Sequence, residues 1–265
     1  METEGVRVLV PGTGADTGLV NNTADPAALP VLFFDIDNCL YPRSSNVQDT
    51  LSDLIDDYLS RELHLPRDQA IALHSQYFKT YGQTVEGLVR HHAIDALHYN
   101  SQVDDALPLE TLLKPNPTLR QFLQSIDTTK VRLWLLTNAY VTHAKRVVKL
   151  LGIEDLFEGI TYCDYEIVPF ICKPQVGMFE KAMREAGVGD VAGCFFVGTD
   201  DLVCVDDSFG NCVGAKSFGW TACHLVETGL PIPESQASQH RIQNLEELSC
   251  IWPDFFRAKS VEILA

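Results

Sequence analysis

The apolar run Val31-Leu32-Phe33-Phe34 stops abruptly at Asp35-Ile36-Asp37-Asn38-Cys39-Leu40-Tyr41, and this junction constrains the chain more than any other stretch. Four consecutive apolar residues before a polar break predict a parallel strand covered on both faces. Residues two apart on a strand share a side. Asp35 and Asp37 are therefore expected to converge at the carboxyl edge of an open sheet, where such sheets bind ligands. Two like charges that close raise each other's pKa unless a cation lies between them. An all-oxygen site of this kind suits Mg2+. The plain alternative is a solvated, Asp-rich turn after a strand.

Beyond Tyr41 the apolar spacing switches to helix. Leu51, Leu54, Ile55, Tyr58 and Leu59 form one stripe. Pro66 suits the first turn of a second helix with Ile71, His74, Phe78 and Tyr81 along one face. Shorter helices are expected through Leu88 and Leu97, and no strand before Val131. From there strands at 131–136, 160–162, within 194–205 and at 220–224 alternate with helices. One helix carries Ala144, Val147, Val148 and Leu151 and stops at Gly152; another carries Val176, Phe179, Met183 and Ala186 and stops at Gly187; a last lies around 245–248. The pattern predicts an α/β fold: a doubly wound, Rossmann-like parallel sheet with a helical cap inserted after the first strand. The expected division is 1–29 as a flexible N-terminal tail, 30–42 and 115–265 as the core, and 43–114 as the cap.

A net charge of −16 with no compensating basic run argues against a protein that grips nucleic acid through its phosphates. A phosphorylated ligand would need local cations to overcome that background. None of the eight cysteines forms a C-x-x-C pair, which suggests buried, reduced thiols in an intracellular protein. No stretch approaches the ~20 apolar residues of a membrane span, and the N-terminus has no basic segment followed by an apolar one. No membrane partner is expected. The cytoplasm is the expected location, with the nucleus second. Gly12, Gly14 and Gly18 lack the strand-turn-helix context of a phosphate loop. His91, His92, Asp95 and His98 gather within the cap but lack the wording of a metal site. They are expected instead to aim one or two side chains at a substrate pocket.

Three further stretches sit near predicted strand ends. Leu135-Leu136-Thr137-Asn138 offers a hydroxyl that donates to a phosphate oxygen without adding charge, or an ordinary helix cap. Cys172-Lys173-Pro174 offers a cation for developing negative charge, or a surface lysine before a helix-starting proline. Val205-Asp206-Asp207-Ser208, with Asn211 following, offers further carboxylates, or an acidic helix start.

In this order the four stretches resemble the motifs of the haloacid dehalogenase superfamily of aspartate-nucleophile phosphatases, and the resemblance covers nearly everything from about residue 30 onward. The wording of core and cap, notably Tyr99-Asn100 and Asp104-Asp105 ahead of Leu107-Pro108-Leu109, is similar to fungal-type pyrimidine 5′-nucleotidases. The resemblance implies Asp35 as nucleophile and Asp37 as acid and base. It implies Mg2+ held by Asp35, the Asp37 carbonyl and Asp206, with Asp207 behind them, and Thr137, Asn138 and Lys173 on the phosphoryl group. The implied substrate is a small-molecule nucleotide, UMP or CMP, and the implied state a monomer or weak homodimer. Alternatives are another phosphomonoester (nicotinamide mononucleotide, lysophosphatidate, a sugar phosphate) or a catalytically impaired regulatory relative.

The fourth stretch departs from the family pattern, because residues 198–204 separate Phe195-Phe196-Val197 from Val205-Asp206. Either 194–197 is the strand and Asp200 or Asp201 the ligand, or 202–205 is the strand and the earlier apolar run falls back toward the preceding loop. Ser208 and Asn211 follow only Asp206, which favours the second placement.

Overall fold

The computed structural model describes residues 29–199, 210–230, 232 and 235–258. Six parallel strands, β1 (Val31–Phe34), β2 (Arg132–Leu136), β3 (Gly159–Thr161), β4 (Cys194–Gly198), β5 (Thr221–Leu225) and β6 (His240–Ile242), form one sheet in the order β3-β2-β1-β4-β5-β6. The chain steps outward from β1 on one side, then returns to start again at β4. The switch point therefore lies at β1, where an open sheet leaves a crevice at its carboxyl ends.

β1 is fully buried because both its faces are covered. Leu32 and Phe34 enter an apolar cluster with α6 (Pro117–Ser125), α7 (Val141–Leu151) and α10 (Leu248–Ile251), residues of which pack there. Val31 and Phe33 enter the opposite cluster with α8 (Val176–Ala186) and α9 (Asn211–Phe218), where Phe33 stacks on Trp220 at 4.5 Å. The side-chain period of two thus divides one apolar run between two cores. Asn116 starts α6 by accepting the Leu119 N–H at 3.0 Å, with Pro117 in the first turn. Gly152 and Gly187 end α7 and α8 in the left-handed conformation that glycine tolerates best.

Between β1 and β2 lie α1 (Val47–Glu62), α2 (Arg67–Tyr81), α3 (Thr84–His92), α4 (Ala96–Gln102) and α5 (Leu109–Leu112). The first four share a third apolar cluster. Cys163, Tyr165, Phe170 and Cys172 join it from the loop after β3, so this core segment helps form the insert's interior. Among the described residues no helix is long and apolar enough to cross a membrane. Seven cysteines there are free, and all but Cys250 are buried.

Several expectations need correction. On α2 the buried residues are Ala70 and Tyr77, while Ile71 is 47% exposed. The helix packs through a face rotated from the one its apolar spacing suggested, because α3 crosses it where Gly87 lets the Tyr77 ring approach. β1 ends at Phe34, so Asp37 lies in a turn rather than on the strand's pleat. The run 194–197 is not displaced into a loop. It pairs with β1 from Val31↔Cys194 to Phe34↔Val197, since a strand buried on both faces also needs a partner at each edge. Residues 202–205, with Asp200, Asp201, Asp206 and Asp207, lie outside the described residues, as does the predicted tail except Leu29. Short, polar β6 was not anticipated.

Candidate active site

Where β1 stops, the Asp35 N–H still bonds the Val197 carbonyl at 2.9 Å, extending the ladder by one residue. Asp35 is 3% exposed, and its Oδ1 meets the Ile36 N–H at 2.9 Å and Lys173 Nζ at 2.6 Å. Lys173 is 1% exposed and donates to the Leu136 carbonyl at 2.9 Å. A buried pair of this kind holds because each charge answers the other. Asn138 fixes the lysine's backbone at both ends: its Oδ1 accepts the Lys173 N–H at 2.7 Å and its Nδ2 donates to the Lys173 carbonyl at 2.9 Å. The Asn138 side chain, expected on a phosphate, is therefore engaged in holding Lys173. Thr137 is fully buried, and its hydroxyl accepts the Ala139 N–H at 3.0 Å while keeping a proton to donate.

Asp37 sits in the turn after β1, with Oδ1 accepting from Tyr41 Oη at 2.5 Å and bonded to His143 Nε2 at 2.8 Å. Burial alone would raise its pKa. His143, Tyr41 and Lys173 outweigh that and hold it below the usual carboxylate range. Burial would likewise lower His143, but Asp37, then Asp104, keep it above the ordinary imidazole value. Tyr41 closes the opening motif. His143, on the first turn of α7, carried no local signal: only the packing of α7 against the turn after β1 brings it to Asp37.

Asp37, Asn138 and Lys173 form one wall of a cleft whose other wall comes from the insert, including Phe78, Gln83, Thr84, Tyr99 and Asp104. Burial first, then the neighbouring Asp105 and Asp37, push Asp104 up to about 6 against the pull of His143. His91, His92, Asp95 and His98 do not line this cleft. His92, His91 and His98 instead bond Tyr77, Tyr81 and Tyr58, and Asp95 caps α4 through the His98 N–H.

The buried Asp35 carboxylate just past the end of β1 is an oxygen donor of the kind a hard cation takes. Gly198 lies close by: a Cβ there would come within 2.5 Å of Phe196 Cζ and 3.2 Å of Asp35 Cβ. Among the described residues no three ligating side chains converge, and Asp206 lies outside them.

Residues 29–219 match the model of the haloacid dehalogenase-like hydrolase family. The chain belongs to the haloacid dehalogenase-like hydrolases. Within 78% of its length and 67% of the relative's, it is 39% identical over 224 residues to Phosphate metabolism protein 8 of Saccharomyces cerevisiae. The haloacid dehalogenase-like fold is shared with a phosphatase of this family from Thermococcus onnurineus (TM-score 0.56, 22% identity, covering 87% of this chain and 100% of that one). It is also shared with the magnesium-bound putative hydrolase YfnB of Bacillus subtilis (TM-score 0.50, 15% identity, 84% and 98%).

Proposed function

We propose that the chain is a Mg2+-dependent phosphatase acting on nucleoside 5′-monophosphates, with UMP and CMP preferred. The observation that carries the reading is the buried Asp35–Lys173 pair at 2.6 Å, whose lysine lines the same crevice as Asp37. Asp35 attacks phosphorus, the bond to the leaving oxygen breaks, and an aspartyl-phosphate forms. Asp37 gives the leaving oxygen its proton, then takes one from the water that hydrolyses the intermediate. Tyr41 and His143 aim its carboxylate. The phosphoryl group's negative charge raises Asp37 from its depressed resting state, which suits the acid role. Lys173 and the Thr137 hydroxyl stabilise the phosphoryl oxygens, and Asn138 keeps Lys173 in place and offers its backbone N–H. Asp35 and the Asp37 carbonyl are the residues that would hold Mg2+, completed from the fourth stretch either by Asp206, with Asp207 behind it, or, because 194–198 is the strand, by Asp200 or Asp201. When bound, the ion supplies Lewis-acid neutralisation of the phosphoryl oxygens.

Support also comes from the name of the yeast relative, from the phosphatase sharing the fold, and from the magnesium bound to YfnB. The test is phosphate release from UMP, CMP, AMP, nicotinamide mononucleotide and lysophosphatidate, with Mg2+ or with a chelator. UMP and CMP should be fastest and chelation should abolish release. A preference for AMP or lysophosphatidate overturns the pyrimidine assignment, and undiminished release in chelator overturns the metal.

A further inference from the structure

Gln83 Oε1, Thr84 Oγ1 and Asp104 Oδ2 have no hydrogen-bond partner among the described residues. Each belongs to a residue at most 9% exposed, and all three residues line the cleft that contains Asp37 and Lys173. Native proteins pair nearly all buried polar atoms, so three unmatched ones around a single cleft call for a cause. Their orientation is not arbitrary. Gln83 gives its Nε2 to the Asn138 carbonyl, which fixes the amide so that oxygen is the free end. Arg146 Nη1 donates to the Asp104 backbone carbonyl at 3.3 Å, which anchors that residue. Thr84 is the first residue of α3, directly after Gln83. Two of the three atoms only accept, and the hydroxyl adapts to either role.

We propose that Gln83, Thr84 and Asp104 read hydrogen-bond donors on the leaving alcohol, so that the site takes phosphomonoesters whose alcohol carries N–H or O–H groups and rejects those carrying hydrocarbon. The inference rests on the phosphatase reading above. A nucleoside supplies such donors through its sugar hydroxyls and base amide. An acyl chain would leave all three atoms buried and unmatched. Sites built to hydrogen-bond a substrate group reject analogues lacking it by roughly 10⁴-fold.

The test uses the full chain with Mg2+ and compares kcat/KM for UMP, its 2′,3′-dideoxy and N3-methyl analogues, lysophosphatidate and donor-free 4-nitrophenyl phosphate. Removing donors from the substrate should lower kcat/KM about tenfold or more, with lysophosphatidate lowest. Thr84→Val and Asp104→Asn should lower the ratio of UMP to 4-nitrophenyl phosphate turnover roughly ten- to a hundredfold. Calorimetric binding of uridine, which needs no turnover, should weaken in both variants. Analogues handled like UMP, a preference for lysophosphatidate, or an unchanged ratio in folded variants overturns the proposal while leaving hydrolysis intact. If no substrate, 4-nitrophenyl phosphate included, releases phosphate, it is the phosphatase reading that falls, and uridine binding alone then decides the donor reading. The analogue series on the unmodified chain keeps the test decisive should a variant fail to fold.

Discussion

Lys173 and Asp35 are two opposite charges almost wholly removed from water, and neither tolerates the loss of the other. Lys173→Met leaves a buried carboxylate without its cation and should destabilise the fold by about 3–5 kcal/mol. The double variant Lys173→Met/Asp35→Asn should recover most of that loss, as read by urea unfolding in the presence of chelator. Asp35→Asn by itself should abolish phosphate release with far-UV circular dichroism unchanged, and near-normal release would remove Asp35 as nucleophile. Asp104 works against stability. Its folded pKa of about 6 lies above the ordinary aspartate value of 3.8, so ionisation is harder in the fold than in the unfolded chain. That raised value lowers stability as pH climbs from about 4 through 6, and the loss is complete above that range. Asp104→Asn should therefore stabilise the protein at pH 7.5, on the order of 2–3 kcal/mol, with the gain shrinking as pH falls through 6. A gain equal at pH 4.5 and 7.5 would show that burial of the charge is not the cause.

At the next scale, β1 and β4 meet closely enough to restrict what can stand at position 198. A Cβ on Gly198 would come within 2.5 Å of Phe196 Cζ and 3.2 Å of Asp35 Cβ. Gly198→Ala should cost about 1–3 kcal/mol by overpacking and depress kcat through Asp35, measured by thermal unfolding and phosphate release. Long apolar runs made β1 and β2 legible as strands, and Asp35 and Thr137 fall where those two strands stop. What the spacing did not reveal was relational. The buried face of α2 is set by its crossing with α3, and the partner of Asp37 is set by the packing of α7. The pairing of β4 with β1, rather than any local preference, decides which of two apolar runs becomes strand. Asn138 was read by its neighbours in sequence, yet its side chain answers to Lys173, 35 residues away.

For the molecule as a whole, insert and sheet are joined by more than the two connections that chain order requires. Glu86 Oε2 accepts the Phe170 N–H at 3.0 Å, Thr142 Oγ1 donates to Asp105 at 2.8 Å, and Arg146 Nη2 donates to the Leu107 carbonyl at 2.8 Å. Arg146→Ala should loosen the segment that carries Asp104, seen as faster amide exchange over 104–110 and a raised KM for UMP, with a smaller effect on kcat. The loop after β3 has a further consequence, because four of its side chains complete the insert's apolar interior. The apolar unit built on the insert is therefore discontinuous in sequence. If the helices swing from the sheet, residues 163–172 either travel with them or leave Tyr165 and Phe170 facing water. Residues 43–114 moved to another scaffold would arrive as a helical shell with one wall missing, and this loop is the segment such a graft must bring along.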